Sequence, residues 1–394
     1  MPEHDPTVVT DTAPIASPTF RVLFVGKAPL SYVGGAETST RHLMTALVAR
    51  GHTVAVVTST KRRSIRGVVD LGLAALTRRT RQRTDARAGY LATSSLRPLQ
   101  TLPSRLHDFR PDVVVVTGTD PSFAREALRL CADRPSVLYV RVSDGIEAAP
   151  DAHADVVVTN SGFMADRIRE VGVDATFLPS VFPVGDYDLT PSSEKVLFIN
   201  PVPKKGVHIA LALAERRPDI PFVFNLSWRV APDALRNLRK DARRLGNIEV
   251  RKATRSPETL FRDCRVLLVP SQWTEPWARV ASEAQISGIP VVGSRIGGLP
   301  ESIGPGGILV DPPDSQDAWL RALSEVWDDE DRYNDLSRRA LEHSRRSEMS
   351  VDVIVRRFEH LLAETIDRHA RSHRPTARSD SRVPDGGISH ERTV

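Results

Sequence analysis

The residues best suited to chemistry sit in one short stretch, EPWARVASEA, where Glu275 and Glu283 are separated by seven residues. Pro276 suits the first position of a helix, and Gly288 followed by Pro290 suits its end. The spacing predicts Glu275 in the loop at a helix N-terminus and Glu283 about two turns inside. At about 100° per residue the two positions lie about 80° apart around the axis, on one side of the helix, and can face one cleft. Ionised carboxylates accept two hydrogen bonds each, which suits sugar and ribose hydroxyls. Free backbone N–H groups at such a helix start favour an anion, and a diphosphate fits. The plainer reading makes Glu275 a helix-start charge and Glu283 a solvated side chain.

The elements that must position these carboxylates form an α/β pattern. The preceding run, RVLLVPS (Arg265 to Ser271), reads as a buried strand, and open α/β sheets bind ligands at the carboxyl ends of their strands. In the first half the runs RVLFVG, TVAVVTS, GYLAT (Gly89 to Thr93), DVVVVTG, SVLYVRV and DVVVTNS read as strands. A helix is expected from Ala36 to Arg50, closed by Gly51. A second set opens with KVLFIN (Lys195 to Asn200) and continues through FVFNLS, NIEVRK, RVLLVPS, PVVGS and GILVD. The segment from Phe182 to Glu194, with its prolines and serines, reads as an interdomain linker. The expected organisation is a tail over 1–19, a first domain over 20–183, a second over 184–348, a helix over 349–370 crossing back to the first, and a tail over 371–394.

With 394 residues, two domains are the default for a chain of this length. A hydrophobic share of 40% with 26% charged residues is that of a soluble globular protein, and no run of about 18 apolar residues predicts a membrane span. The first residues lack the features of a secretory signal, and Cys131 and Cys264 match no metal or redox spacing, so a cytoplasmic setting is expected. Basic residues are mostly arginine, which suits diphosphate ligands. With only 6% aromatic residues, the composition argues against nucleic acid as a partner. The stretch from Lys61 to Arg87, with Arg62, Arg63, Arg66, Arg78, Arg79, Arg81 and Arg83, reads either as a solvated helix or as a basic element meeting an acceptor or a membrane surface.

The block from Pro270 to Glu301, PSQWTEPWARVASEAQISGIPVVGSRIGGLPE, resembles the donor-site signature of glycosyltransferase family 4. That resemblance implies a GT-B fold, two Rossmann-like domains with parallel sheets facing a cleft, and retaining, metal-independent transfer from a nucleotide diphosphate sugar. It implies that Glu275 contacts the transferred sugar, that Glu283 holds the ribose, and that Trp277, Ala278, Arg279 and Val280 lie on the donor side. Ala278 stands where the family usually has glycine. A second block, INPVPKKGVHIALALAERR (Ile199 to Arg217), resembles the family's basic clamp on the diphosphate: Lys205 matches the family lysine, Lys204 precedes it, and Asn200 replaces a frequent arginine. A third, GGAETSTRHLMTALVARGH (Gly34 to His52), resembles the N-terminal loop in which Gly34 and Gly35 let backbone approach the donor. No GxGxxG precedes that helix, which argues against a nicotinamide cofactor.

Many members of the family carry an active-site histidine after the strand equivalent to SVLYVRV, whereas this chain continues RVSDGIEAAPDAHADVV. Arg141 and Asp144 occupy that neighbourhood and are acceptor-side candidates, although Asp144 equally suits a loop-capping role. The implied chemistry needs no dedicated protein base, because the leaving phosphate can take the acceptor proton. Two other classes fit the same fold: a nucleotide-sugar-binding protein without turnover and a nucleotide-sugar epimerase. The sugar, the base, the acceptor and the oligomeric state are left open by these residues.

Overall fold

The computed structural model describes residues 18–30, 34–60, 81–84, 89–118, 120–151, 153–227 and 230–373. Eight strands form the first sheet: β1 (Arg21–Val25), β2 (Thr53–Ser59), β3 (Arg81–Thr84), β4 (Leu91–Ser95), β5 (Val113–Thr117), β6 (Ser136–Val140), β7 (Val156–Thr159) and β8 (Thr176–Phe177). Their order is β3-β4-β2-β1-β5-β6-β7-β8, parallel except where β3 runs antiparallel to β4. Six parallel strands form the second: β9 (Lys195–Ile199), β10 (Phe222–Asn225), β11 (Ile248–Arg251), β12 (Cys264–Val269), β13 (Val291–Ser294) and β14 (Gly307–Val310), in the order β11-β10-β9-β12-β13-β14.

The unbroken apolar runs explain the parallel sheets. Val113, Val114, Val115 and Val116 of β5 have no exposed surface, because helices cover both faces. Four helices position the cleft between the sheets or close the first core: α1 (Gly35–Ala49), α2 (Val207–Arg216), α3 (Arg279–Ile286) and α4 (Val351–Ser372). Helix α1 buries Leu43, Met44 and Leu47 on the first sheet, and α4 adds Ile354, Phe358 and Leu362 to that same core. The C-terminal helix is pinned there by charge as well. Glu359 accepts from Arg50 Nε at 2.6 Å and Arg50 Nη2 at 2.9 Å, and its Oε1 lies 2.8 Å from His52 Nε2. His52 Nδ1 accepts from the Phe20 N–H at 3.0 Å, which leaves Nε2 to donate to Glu359.

Several sequence expectations change in detail. The strand read at Gly89 to Thr93 lies two residues later, at Leu91–Ser95, paired with β2. Within the basic stretch, Arg81–Thr84 is an edge strand rather than part of a helix; the rest of 61–87 lies outside the described residues. The tails expected over 1–19 and 371–394 likewise fall almost wholly outside them. The connection from 182 to 194 is packed, not loose: it holds a helical turn, Val184–Tyr187, and buries Phe182 and Tyr187 in the core of the second half. Among the described residues no helix is long and apolar enough to cross a membrane.

Candidate active site between the two sheets

The order of the second sheet reverses between β9 and β12, the point at which open α/β sheets hold ligands beyond their carboxyl ends. The loops leaving those strands carry Asn200 to Lys205 and Pro270 to Glu275. They touch closely. Gln272 donates its backbone N–H to the Lys204 carbonyl at 2.9 Å. Gly206, in the left-handed region at φ +79°, leaves no room for a side chain, since a Cβ there would stand 1.9 Å from the Pro270 carbonyl oxygen. This contact sets Lys205 against Glu275, and their side chains form an ion pair. Glu275 is 3% exposed, and its Oε1 also accepts from Ser271 Oγ at 2.6 Å and Trp273 Nε1 at 2.9 Å. The Lys204 ammonium lies over the Trp273 ring, 4.6 Å from its centroid.

The peptide around Glu275 is not helical. Helix α3 begins at Arg279 with Ala278 as its cap residue, not at Pro276. The cause is tertiary: Gly298 donates to the Glu275 carbonyl at 2.7 Å, and Gly297 lies so near that a Cβ would meet that oxygen at 2.4 Å. Backbone packing therefore holds 275–278 out of the helix. Glu275 reaches the cleft from a loop, as expected, and Glu283 from about one turn inside the helix instead of two. The helix start is partly occupied, because the N–H groups of Arg279 and Ala281 bond the carbonyls of Trp277 and Ala278.

Glu283 sits inside α3, with Arg279 Nε 2.8 Å from its Oε1 and the Tyr187 hydroxyl donating to the same oxygen at 3.2 Å. Burial raises the Glu283 carboxyl above its ordinary range, and Arg279 and Tyr187 pull the other way. Burial also raises the Tyr187 phenol, with the Glu283 charge adding to it. Arg279 reaches across to the first half. Its Nη1 donates to Ser39 Oγ and to the Val181 carbonyl, both at 3.1 Å, and its Nη2 donates to His42 Nδ1 at 3.1 Å. Burial and the Arg279 charge lower His42 to about 4, so the imidazole is neutral at pH 7.

One cleft of about 530 Å³ gathers these groups between the two sheets. All thirteen candidates line it: Glu275, Lys205, Glu283, Gly34, Gly35, Asn200, Lys204, Arg279, Trp277, Ala278, Val280, Arg141 and Asp144. They are not alike within it. Trp277 is largely a core residue, its indole N–H bonded to Ser282 Oγ at 3.1 Å and its ring 6.3 Å from Phe177. Asn200 lies in the left-handed region at φ +61°, and its Oδ1 accepts from the Ser227 N–H at 2.9 Å, so this amide shapes the loop after β10. Asp144 sits on a 3-10 turn, Ser143–Ala148. Sequence reasoning passed over Ser271, Trp273, Tyr187, Ser39 and His42. Ser271 and Trp273 lie in the same block as Glu275, and their donor groups were a usable signal; Tyr187 carried none, since only the folded linker brings it to Glu283.

The two sheets, the switch-point cleft and the paired carboxylates together define a two-Rossmann enzyme architecture of the GT-B class. Residues 193–343 match the family profile described as Glycosyl transferases group 1, and residues 33–179 match the profile described as Glycosyltransferase Family 4. The chain belongs to this glycosyltransferase family. It is 33% identical over 224 residues, 52% of its length and 54% of the relative's, to a D-inositol 3-phosphate glycosyltransferase of Paenarthrobacter aurescens. A protein of that name from Corynebacterium kroppenstedtii shares 43% identity over 99 residues, 24% of this chain and 22% of the relative. The chain thus spans about half the length, or less, of the curated relatives it matches. Among solved structures, Anabaena HepE in complex with UDP superposes with a TM-score of 0.68 at 18% identity, covering 87% of this chain and 99% of that one. Sucrose-phosphate synthase from Thermosynechococcus elongatus gives a TM-score of 0.69 at 15% identity, over 88% and 99%.

Proposed function

We propose that this protein transfers a sugar, with retention, from a nucleoside diphosphate sugar to an acceptor hydroxyl. The observation that carries the reading is the convergence of Glu275, Glu283 and Lys205 on one cleft at the β9/β12 switch point. The ribose binds the Glu283 carboxylate, which Arg279 and Tyr187 hold from behind. The diphosphate lies against Lys205, which exchanges part of its pairing with Glu275 for the developing negative charge. Glu275, held by Ser271 and Trp273, accepts hydrogen bonds from the sugar hydroxyls.

The acceptor attacks the anomeric carbon on the face the diphosphate leaves, and a leaving phosphate oxygen takes the hydroxyl proton. Lysine and arginine charges supply what a metal supplies elsewhere, so EDTA leaves the rate unchanged. The reaction belongs in the cytoplasm, where nucleotide sugars are available, with no nucleic acid involved. The relatives named for D-inositol 3-phosphate and the neighbour solved with UDP-glucose make a phosphorylated polyol and UDP-glucose the first pair to assay.

A melting-temperature screen of nucleoside diphosphate sugars tests the donor half, since a ligand that binds only the folded state raises Tm. One or more donors should stabilise the protein, and donor turnover on an acceptor panel should accompany this with release of the nucleoside diphosphate. Stabilisation without turnover favours a binding protein; isomerised donor in the absence of acceptor favours an epimerase.

A further inference from the structure

Trp273 touches three charged groups at the β9/β12 switch point. Its indole N–H donates to Glu275 Oε1 at 2.9 Å. Its ring faces two ammonium groups, with Lys204 Nζ 4.6 Å and Lys205 Nζ 5.4 Å from the centroid, both within cation–π reach. Core packing does not account for this side chain. Trp273 is half-buried, lines the cleft and stands outside the two apolar clusters of the second half, whereas Trp277 belongs to one of them. The loop beneath it is fixed by the neighbouring Gln272. That residue donates its backbone N–H to the Lys204 carbonyl at 2.9 Å and its Nε2 to the Pro313 carbonyl at 3.1 Å.

Glu275 Oε1 is crowded. Lys205 Nζ, Ser271 Oγ and Trp273 Nε1 all approach this one oxygen, although a carboxylate oxygen offers only two lone pairs. None of the three bonds uses Oε2. The donors compete, and the two neutral ones fill Oε1 once the ammonium departs. Without the indole, the departure of Lys205 would leave that oxygen, on a residue 3% exposed, with Ser271 alone from this set. A buried charge short of donors is costly.

We infer that Trp273 is a positioning residue that lets Lys205 pass from Glu275 to the donor diphosphate. Its N–H holds the Glu275 carboxylate in place as the ammonium leaves, and its ring carries Lys204 and Lys205 at the wall of the cleft. Oε2, used by none of these bonds, is left to the sugar hydroxyls. The inference rests on the glycosyl-transfer reading, because it needs a diphosphate to draw Lys205 away.

The test follows the indole N–H resonances of the full-length protein in titrations with UDP, GDP, ADP and dTDP. Loss of one signal in Trp273→Phe assigns it; Ser271→Ala, which moves the same signal, assigns it should that variant fail to fold. A nucleotide that binds should shift this resonance downfield, because the indole bond to Oε1 tightens when Lys205 departs. In Lys205→Met at saturating nucleotide the shift should vanish; an undiminished shift there comes from the ligand itself and overturns the inference. A nucleotide that raises Tm without moving the wild-type signal also overturns it, and leaves the donor reading intact. If no nucleotide raises Tm, the donor reading falls and the inference falls with it.

Turnover separates the two parts of the role. Trp273→Phe keeps an aromatic face without the N–H and should lower kcat about tenfold, with donor KM near wild type. Trp273→Leu removes the face as well and should also raise donor KM about threefold. In Glu275→Ala, which has no carboxylate to hold, adding Trp273→Phe should cost nothing further in kcat. The same tenfold loss in that background marks a merely structural role and overturns the inference, as does wild-type kcat in Trp273→Phe.

Discussion

Arg279 Nη1 donates to Ser39 Oγ at 3.1 Å across 240 residues of sequence, and the same guanidinium pairs with Glu283 one turn further along its own helix. One side chain therefore joins α1 of the first half to the carboxylate proposed to hold the donor. A second tie lies nearby: Ser143 Oγ donates to the Thr274 carbonyl at 3.0 Å, one residue before Glu275. Arg279→Ala leaves Glu283 buried without its cation, and loss of one partner of a buried pair costs about 3 kcal/mol of stability. The expected outcome in urea unfolding is a lower midpoint, together with a weaker affinity for the nucleotide sugar. An unchanged midpoint contradicts the role assigned to this pair.

Lys205→Ala and Glu283→Ala should each cost about a hundredfold in kcat/KM, the scale of losing one charged group that stabilises a leaving oxyanion or orients the donor. Both proteins should keep the wild-type circular dichroism spectrum. Wild-type rates in both variants sink the donor-site assignment.

Tyr187→Phe removes only the hydroxyl that donates to Glu283 at 3.2 Å. A single hydrogen bond to a carboxylate is worth about 1.5 kcal/mol net, so the donor KM should rise about tenfold while kcat stays near wild type. A drop in kcat with KM unchanged would place Tyr187 in the reaction instead of behind the ribose site.

His42 is held near 4 in the folded protein against an ordinary 6.5, chiefly by burial. The unfolded chain therefore binds the extra proton first, and the folded state loses stability as pH falls from about 6.5 toward about 4. The loss is at most about 3 kcal/mol at the lower end. Because Arg279 Nη2 donates to His42 Nδ1, a proton arriving there breaks that hydrogen bond and leaves the one from Nη1 to Ser39. Glu283, whose carboxyl is raised by burial, has the opposite sign: its folded form favours protonation, and that contribution is lost as pH rises through its folded value. Comparing wild type with His42→Asn in urea at a series of pH values isolates the histidine. The variant should show a shallower decline between 6.5 and 4, and equal slopes refute it.

Glu301 accepts from the backbone N–H groups of Gly162 at 2.8 Å and Phe163 at 2.6 Å, capping the helix Gly162–Glu170 of the first half from the second. Replacing it with alanine should destabilise the protein by about 1 kcal/mol, as for other lost helix caps, and should free the two halves to separate. Small-angle scattering of Glu301→Ala should show a larger radius of gyration than wild type; identical curves rule out a clamping role.

Much of this molecule is local enough to read from the chain. Continuous runs such as VVVV at 113–116 and VLFI at 196–199 mark buried parallel strands by pattern alone. The block around Glu275 and Glu283 and the pair Lys204–Lys205 are visible as residue types at fixed spacing. Other features depend on partners far away in sequence. The late start of α3 comes from Gly297 and Gly298 pressing on the backbone of Glu275, and helix signals at Pro276 carry no trace of that contact. The short strand at 81–84 exists because β4 offers it an edge to pair with, and its arginine-rich sequence lacks any strand period. Tyr187 behind Glu283, Arg279 on Ser39, and Lys204 over the Trp273 ring belong to the tertiary structure alone. Hydrophobic patterning is short-ranged and leaves its mark residue by residue, whereas a hydrogen bond across 240 residues is chosen only once the sheets have packed.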